Sequence, residues 1–336
     1  MKNEHLLVRR ISVAEPELKA IQRLLDALMQ GQETLDLETF LLEAHLRAHE
    51  LPERIRAEFY AFKLREDFGV ICVENNPIDQ QNFGPTPSRL PERDVRERIR
   101  REEALHLLYC TLLGEPFGWT SIQNGHLVNE VYPIRENESE SVSSGSRYDL
   151  GLHTEDAFSP FCGDYLGLMC VRNPHNIPTR VSSIRTVKLL PEVRDLLLQP
   201  RFRILPNQAH WVLPSDAKVA LLYGDPTSPY IRINLNVEDE SLEKDPDAKR
   251  ALKILMDELE ANSFDLTLES GDCCFLDNLT MTHGRKAYRP SYDGTDRWMK
   301  RIYITSDLRK SRHLRTAGHA RIIAPQGVTS MIHSSY

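Results

Sequence analysis

LTLESGDCCFLDN, residues 266–278, is a short apolar run broken by a turn-forming Ser-Gly-Asp, and the chain on either side repeats that texture. Upstream lie HLVNEVYPI (126–134), YLGLMCV (165–171), RVSSI (180–184), KVALLY (218–223) and YIRINL (230–235). Downstream, RWMKRIYITSDL occupies 297–308. Short apolar runs bounded by turn formers read as strands. Strands that recur in this way, outnumbering the helices after Gly114, point to a barrel or sandwich instead of a parallel βαβ array.

Helical spacing gathers at the other end of the chain. Between residues 16 and 51, Leu18, Ile21, Leu24, Leu25 and Leu28 recur at three and four, and FLLEAHL repeats the pattern. Residues 94–113 read as a further helix, with DVRERIRREE facing solvent and ALHLLYCTLL buried; FGVICV (68–73) between them reads as a buried strand. A charged amphipathic helix, EKDPDAKRALKILMDELE, with an N-cap in the Asp245-Pro246-Asp247 segment, forms an insertion over about 239–263. The expectation is a mainly β fold in one domain over 1–336, with a helical cover over about 14–113 and a β core over about 68–75 and 119–309. ENESESVSSGS (136–146) is polar and Ser-rich, a candidate lid. Residues 309–336 are too weakly patterned to assign.

Hydrophobic residues make up 40% of the 336 and charged residues 27%, values of an ordinary globular enzyme. A formal charge of -7 carries no basic footprint for nucleic acid or anionic lipid. No apolar run approaches a membrane span, and MKNEHLLVRR lacks the apolar stretch of a signal peptide, so the expected location is cytoplasmic. Six cysteines without a CxxC pair argue for reduced thiols over a disulfide framework.

GLHTEDAF (151–158) follows the Ser-rich loop, and LTMTHG (279–284) follows GDCCFLDN. With a strand period of two, His153 and Glu155 project on the same side. His283 from a distant strand completes two imidazoles and one carboxylate, the set that holds iron(II) on one face and leaves positions open. Alone, HxE is weak, since roughly one or two such matches arise by chance among twelve histidines. Arg297 and Arg301 add weight: they share a strand face, and two inward guanidiniums beside a metal triad are costly to bury unless anions pair with them. The bland alternative is an edge strand of solvated Arg and Lys.

Taken together, HTEDAF, CGDYLGLMCVRN, THGRKAY and DRWMKRIYI, with FGPTP at 83–87, resemble the clavaminate synthase-like branch of the iron(II)/2-oxoglutarate oxygenases, and within it the free-amino-acid hydroxylases. The resemblance runs from about 68 to 307. It implies a double-stranded β-helix, a jelly-roll core with helices outside, iron(II) as metal, and 2-oxoglutarate and O₂ as cosubstrates. It implies that His153, Glu155 and His283 are the iron ligands and catalytic core. Arg297, assisted by Thr179, would take the distal carboxylate of 2-oxoglutarate, and Arg301 the substrate α-carboxylate. Gln123 and a serine of the loop (Ser143, Ser144 or Ser146) would meet the α-amino group, and Glu155 also counts among the substrate-binding residues. The β or γ carbon would lie nearest the metal, β-hydroxylation is the family's commonest outcome, and products of such enzymes commonly feed peptide antibiotic assembly.

Relatives acting on arginine carry acids near the end of the stretch corresponding to YIRINLNV (230–237), where this chain has Asn234 and Asn236. An amide suits a urea or carboxamide, whereas a buried cation without a counter-charge is costly. The expected substrate is therefore citrulline, then glutamine or asparagine. The alternative is arginine, its counter-charge supplied by Asp225, Glu238 or Asp239. Two other classes compete: a zinc hydrolase, which needs neither arginine, and a non-catalytic binding protein. Neither would release succinate.

Overall fold

The computed structural model describes residues 4–30, 37–79, 83–90, 100–207, 210, 215–234, 237, 239–317 and 320–324. Along the chain run α1 (Glu4–Leu7), β1 (Val8–Ser12), α2 (Glu15–Met29), α3 (Leu37–Arg47), α4 (Glu53–Arg65), β2 (Val70–Glu74) and α5 (Arg101–Leu113). Then come β3 (Glu115–Trp119), β4 (Asn129–Val131), β5 (Leu150–His153), β6 (Tyr165–Arg172), β7 (Thr179–Ser183), α6 (Pro191–Leu197), β8 (Leu222–Asp225) and β9 (Ser228–Ile231). The last are α7 (Asp239–Glu243), α8 (Pro246–Ala261), β10 (Phe264–Leu266), β11 (Cys273–Asp277), β12 (Met281–Arg285), β13 (Trp298–Thr305) and β14 (Ile322–Ile323).

The strands form a large sheet in the order β1-β2-β11-β6-β13-β3-β14, with β4 also on β13, and a small sheet in the order β10-β7-β12-β5. Pairing is antiparallel except for β1 with β2 and β14 with β3. Period-two alternation sorts the large sheet's side chains into two cores. Ile71 and Val73 of β2, with Ile302 and Ile304 of β13, pack against the helices. Val70, Cys72, Met299 and Tyr303 pack instead with Val181, Phe264 and Met281 of the small sheet. Helix α5 lies between the large sheet and helices α2 to α4, so ALHLLYCTLL is buried on nearly every side. All six cysteines are free thiols.

Several elements are shorter than the sequence pattern predicts. Helix α5 begins at Arg101, and residues 94–99 of the expected helix lie outside the described ones. HLVNEVYPI contributes only the three-residue β4. KVALLY and YIRINL make a separate hairpin, β8 with β9, whose regular pairing ends at Leu222 and Ile231. Arg232 N–H still reaches across the hairpin to Leu221 O at 2.8 Å, but Ile233 O leaves it and accepts from Thr154 N–H at 2.7 Å. That exchange ties the chain beside Asn234 to the residue next to Glu155. Among the described residues, no helix is long and apolar enough to cross a membrane.

Candidate metal centre

Strands β5 and β12 pair so that His153 stands directly opposite His283. Their rings are 4.3 Å apart between centroids. Glu155 lies two residues past His153, just beyond the end of β5, and its Oε2 is 3.2 Å from His283 Nε2. One donor atom from each of the three lies within 4.8 Å of the others. His153 Nδ1 is 2.9 Å from Gly151 O; donation to that carbonyl leaves Nε2 as the lone-pair nitrogen.

Burial, reinforced by the neighbouring His283, pushes the His153 pKa down to about 4, so the ring is neutral, the form that ligates. For Glu155 burial works the other way, but the Arg301 charge and the two histidines hold the carboxyl well below its usual range. Glu155 Oε2 is buried without a hydrogen bond. The neutral His153 ring, a second imidazole from His283, an ionised carboxylate and an unsatisfied buried oxygen are a donor set that fits a divalent iron.

Glu155 is aimed by Asn278, which follows β11. Asn278 Oδ1 accepts from Glu155 N–H at 2.7 Å, and its Nδ2 donates to Glu155 O at 3.1 Å and to Gly163 O at 2.8 Å. Asn278 therefore fixes the backbone of a ligand that no strand holds. Asn278→Ala is expected to weaken metal affinity by about 10- to 100-fold, as loss of a ligand-orienting partner does. Equilibrium Co(II) binding measures it, and unchanged affinity would refute the assignment.

Both arginines line the same cavity as the three donors. Arg301 faces inward with Met299 and Tyr303, its Nη1 3.1 Å from Glu155 Oε1. Arg297 Nη2 donates to Thr179 Oγ1 at 3.0 Å, and among the described residues no carboxylate pairs with Arg297. Burial lowers its pKa. Nε of each arginine is also buried without a partner. Two guanidiniums with spare buried donors suit two carboxylate-bearing molecules.

The remaining expected residues are dispersed. Asn234 lines the cavity and donates to Leu205 O at 3.0 Å; Asn236 and Glu238 lie outside the described residues. Asp225 is exposed in the β8–β9 turn, where it accepts from Thr227. Gln123 grips the backbone of Glu130 with both ends of its amide and borders an adjoining cavity that also meets Arg301. Ser144 accepts from Asn137 in that adjoining cavity, and Ser146 is buried and borders neither. Ser143 borders both. The sequence pattern had no signal for Asn278, nor for the buried pair Asp156 and His210, which are 2.9 Å apart on the cavity wall.

A mononuclear 2-His-1-carboxylate site flanked by guanidiniums defines the non-haem iron oxygenase class, and the comparisons narrow it. Residues 199–303 match the family described as taurine catabolism dioxygenase TauD, TfdA family. The chain is 34% identical to the enduracididine beta-hydroxylase of Streptomyces hygroscopicus, over 93% of this chain and 99% of that one. It is 32% identical to the L-ornithine/L-arginine 3-hydroxylase of Catenulispora acidiphila, over 83% of this chain and 88% of that one. The structure of the non-heme iron oxygenase OrfP with Fe and alpha-ketoglutaric acid matches with a TM-score of 0.85 at 35% identity, over 94% of this chain and 99% of OrfP. OrfP is also known in complex with Fe and L-Arg. The chain belongs to the clavaminate synthase-like iron(II)/2-oxoglutarate oxygenases. Its cofactor is iron(II), with 2-oxoglutarate and O₂ as cosubstrates.

Proposed function

We propose that this enzyme hydroxylates the β or γ carbon of a free L-amino acid, consuming 2-oxoglutarate and O₂ and releasing succinate and CO₂. The observation that carries the reading is the single cavity shared by His153, Glu155, His283, Arg297 and Arg301. The two sheets then serve as the halves of a double-stranded β-helix in one catalytic domain, with the site between them.

His153, Glu155 and His283 would hold the iron, which when bound supplies Lewis acidity and the redox couple for oxidative decarboxylation. Arg297 and Thr179 receive the distal carboxylate of the cosubstrate. Arg301, already ion-paired to Glu155, receives the substrate α-carboxylate, and Glu155 and Ser143 stand on the side available to the α-ammonium. Anchoring both backbone groups leaves the β and γ carbons nearest the metal, and that positioning is the protein's main contribution.

For the side chain, a neutral urea or amide, citrulline first and then glutamine or asparagine, is supported by Asn234 and by the state of the acids. Among the described residues the cavity wall carries two carboxylates. Glu155 is engaged as above, and Asp156 accepts from Trp119 Nε1 at 2.6 Å while facing His210. A second reading, a guanidinium or other cationic side chain, is favoured by the relatives, which act on enduracididine and on ornithine and arginine.

The test is succinate release by iron-loaded protein across a panel of free L-amino acids, with mass detection of the hydroxylated product. Wild type should prefer citrulline to arginine at saturation, and Asn234→Asp should shift preference toward arginine. Faster arginine turnover by wild type would establish the cationic reading. Absence of succinate would overturn the whole proposal.

A further inference from the structure

Arg285 stands two residues beyond His283 on β12, buried, and lines the metal cavity. The antiparallel register of β12 with β7 runs from Met281 opposite Ser183 to Gly284 opposite Arg180. One step further brings Arg285 to the level of Thr179, whose hydroxyl accepts from Arg297. Two guanidiniums are thus buried near one another, and among the described residues neither has a carboxylate partner.

The same guanidinium reaches the Ser-rich loop. Arg285 Nη2 donates to Gly145 O at 2.8 Å, Nη1 donates to Lys286 O at 2.8 Å, and the group lies 4.8 Å over the ring of Tyr288. Its neighbours fasten the chain just beyond that point: Tyr288 N–H donates to Ser146 O at 2.9 Å and Ala287 N–H to Asp149 Oδ1 at 2.7 Å. The loop is tight there, since a Cβ on Gly145 would lie 2.0 Å from Glu140 O. On the far side of this anchor, Ser141, Val142 and Ser143 form part of the cavity wall.

Resting on the function proposed above, we infer that Arg285 is a positioning residue that couples cosubstrate binding to the seating of the 136–146 loop. Its charge answers the dianionic cosubstrate beside Arg297, and its fork holds Gly145 O. An anion between the two guanidiniums offsets the repulsion of buried like charges, and the Arg285 fork can then hold Gly145 O and the loop wall more firmly for the substrate. Cosubstrate binding therefore prepares the substrate site.

The test uses the full-length Mn(II)-loaded protein, with 2-oxoglutarate as the probe. Calorimetry reads its Kd, and amide hydrogen exchange reads the loop with and without it. In wild type, 2-oxoglutarate should slow exchange across 136–149. Arg285→Met should raise the Kd by about tenfold or more and abolish that slowing. Arg285→Lys should recover much of the affinity through charge but not the slowing, because an ammonium lacks the fork; it also decides the matter if the Met variant fails to fold. A Met variant that binds 2-oxoglutarate within about twofold of wild type, or a loop loosened equally with and without it, would overturn the coupling. Wild type that does not bind 2-oxoglutarate would instead overturn the cosubstrate assignment, and the coupling with it.

Discussion

Glu155→Ala is expected to yield a folded protein that has lost both iron and turnover. The carboxylate does two jobs at once. Its Oε2 faces His283 Nε2 at 3.2 Å and its Oε1 faces Arg301 Nη1 at 3.1 Å. Truncation removes one of three donors and leaves two imidazoles, too few to compete with water for a divalent ion. Metal affinity should fall by more than about 10²-fold, beyond the loss from a ligand's supporting partner. It also strips Arg301 of its described counter-charge in a buried setting, so the substrate anchor loses its aim with the metal. Co(II) absorbance gives the metal readout and circular dichroism confirms the fold. Glu155→Asp separates the two jobs: the shorter acid still supplies an oxygen but withdraws from Arg301, so substrate KM should rise more than cosubstrate KM. Retention of Co(II) at wild-type affinity by the Ala variant would remove Glu155 from the metal site.

Strand alternation accounts for only part of the metal cluster. Alternation alone predicts His153 and Glu155 on one side of a strand, yet β5 ends at His153. Glu155 shares the cavity because Asn278, 123 positions away, clamps its backbone. A contact of that range leaves no trace in local spacing. Arg301 did follow from alternation, with Met299 and Tyr303 on its face; Arg297 precedes β13 and reaches the same cavity across a register shift at Trp298 and Met299. The serine of the loop could not be chosen, because residues 136–146 have no period to say which hydroxyl faces inward. Arg285 was invisible for a related reason: its neighbours Thr179 and Gly145 arrive through strand register and loop closure, both tertiary events.

Lys300→Met is expected to destabilise the protein by about 3–5 kcal/mol while leaving the metal centre intact. In RWMKRIYI the lysine sits one position from Arg301 and therefore on the opposite face of β13, toward the helices. It is 1% exposed. Its Nζ is 2.7 Å from Glu103 Oε1 on α5 and also pairs with Glu130 on β4, whose other oxygen accepts from Trp298 Nε1 at 2.5 Å. Burial disfavours the ammonium, but the two carboxylates outweigh it and the net pKa is raised. A raised lysine pKa means the stabilisation is full below the unfolded value of about 10.4 and is lost as pH climbs through the folded value, so neutral buffers see all of it. Replacing the cation with methionine fills the volume but strands two carboxylates beside each other. The melting temperature should fall on the order of 10 °C. Adding Glu103→Gln should recover part of the loss, because it relieves the repulsion that Met alone creates. At temperatures where the variant stays folded, Co(II) affinity and kcat should match wild type, since Lys300 points away from the cavity. A lowered metal affinity without a lowered melting temperature would mean that β13 transmits the Lys300 charge to Arg301, and the two faces of the strand would not be independent.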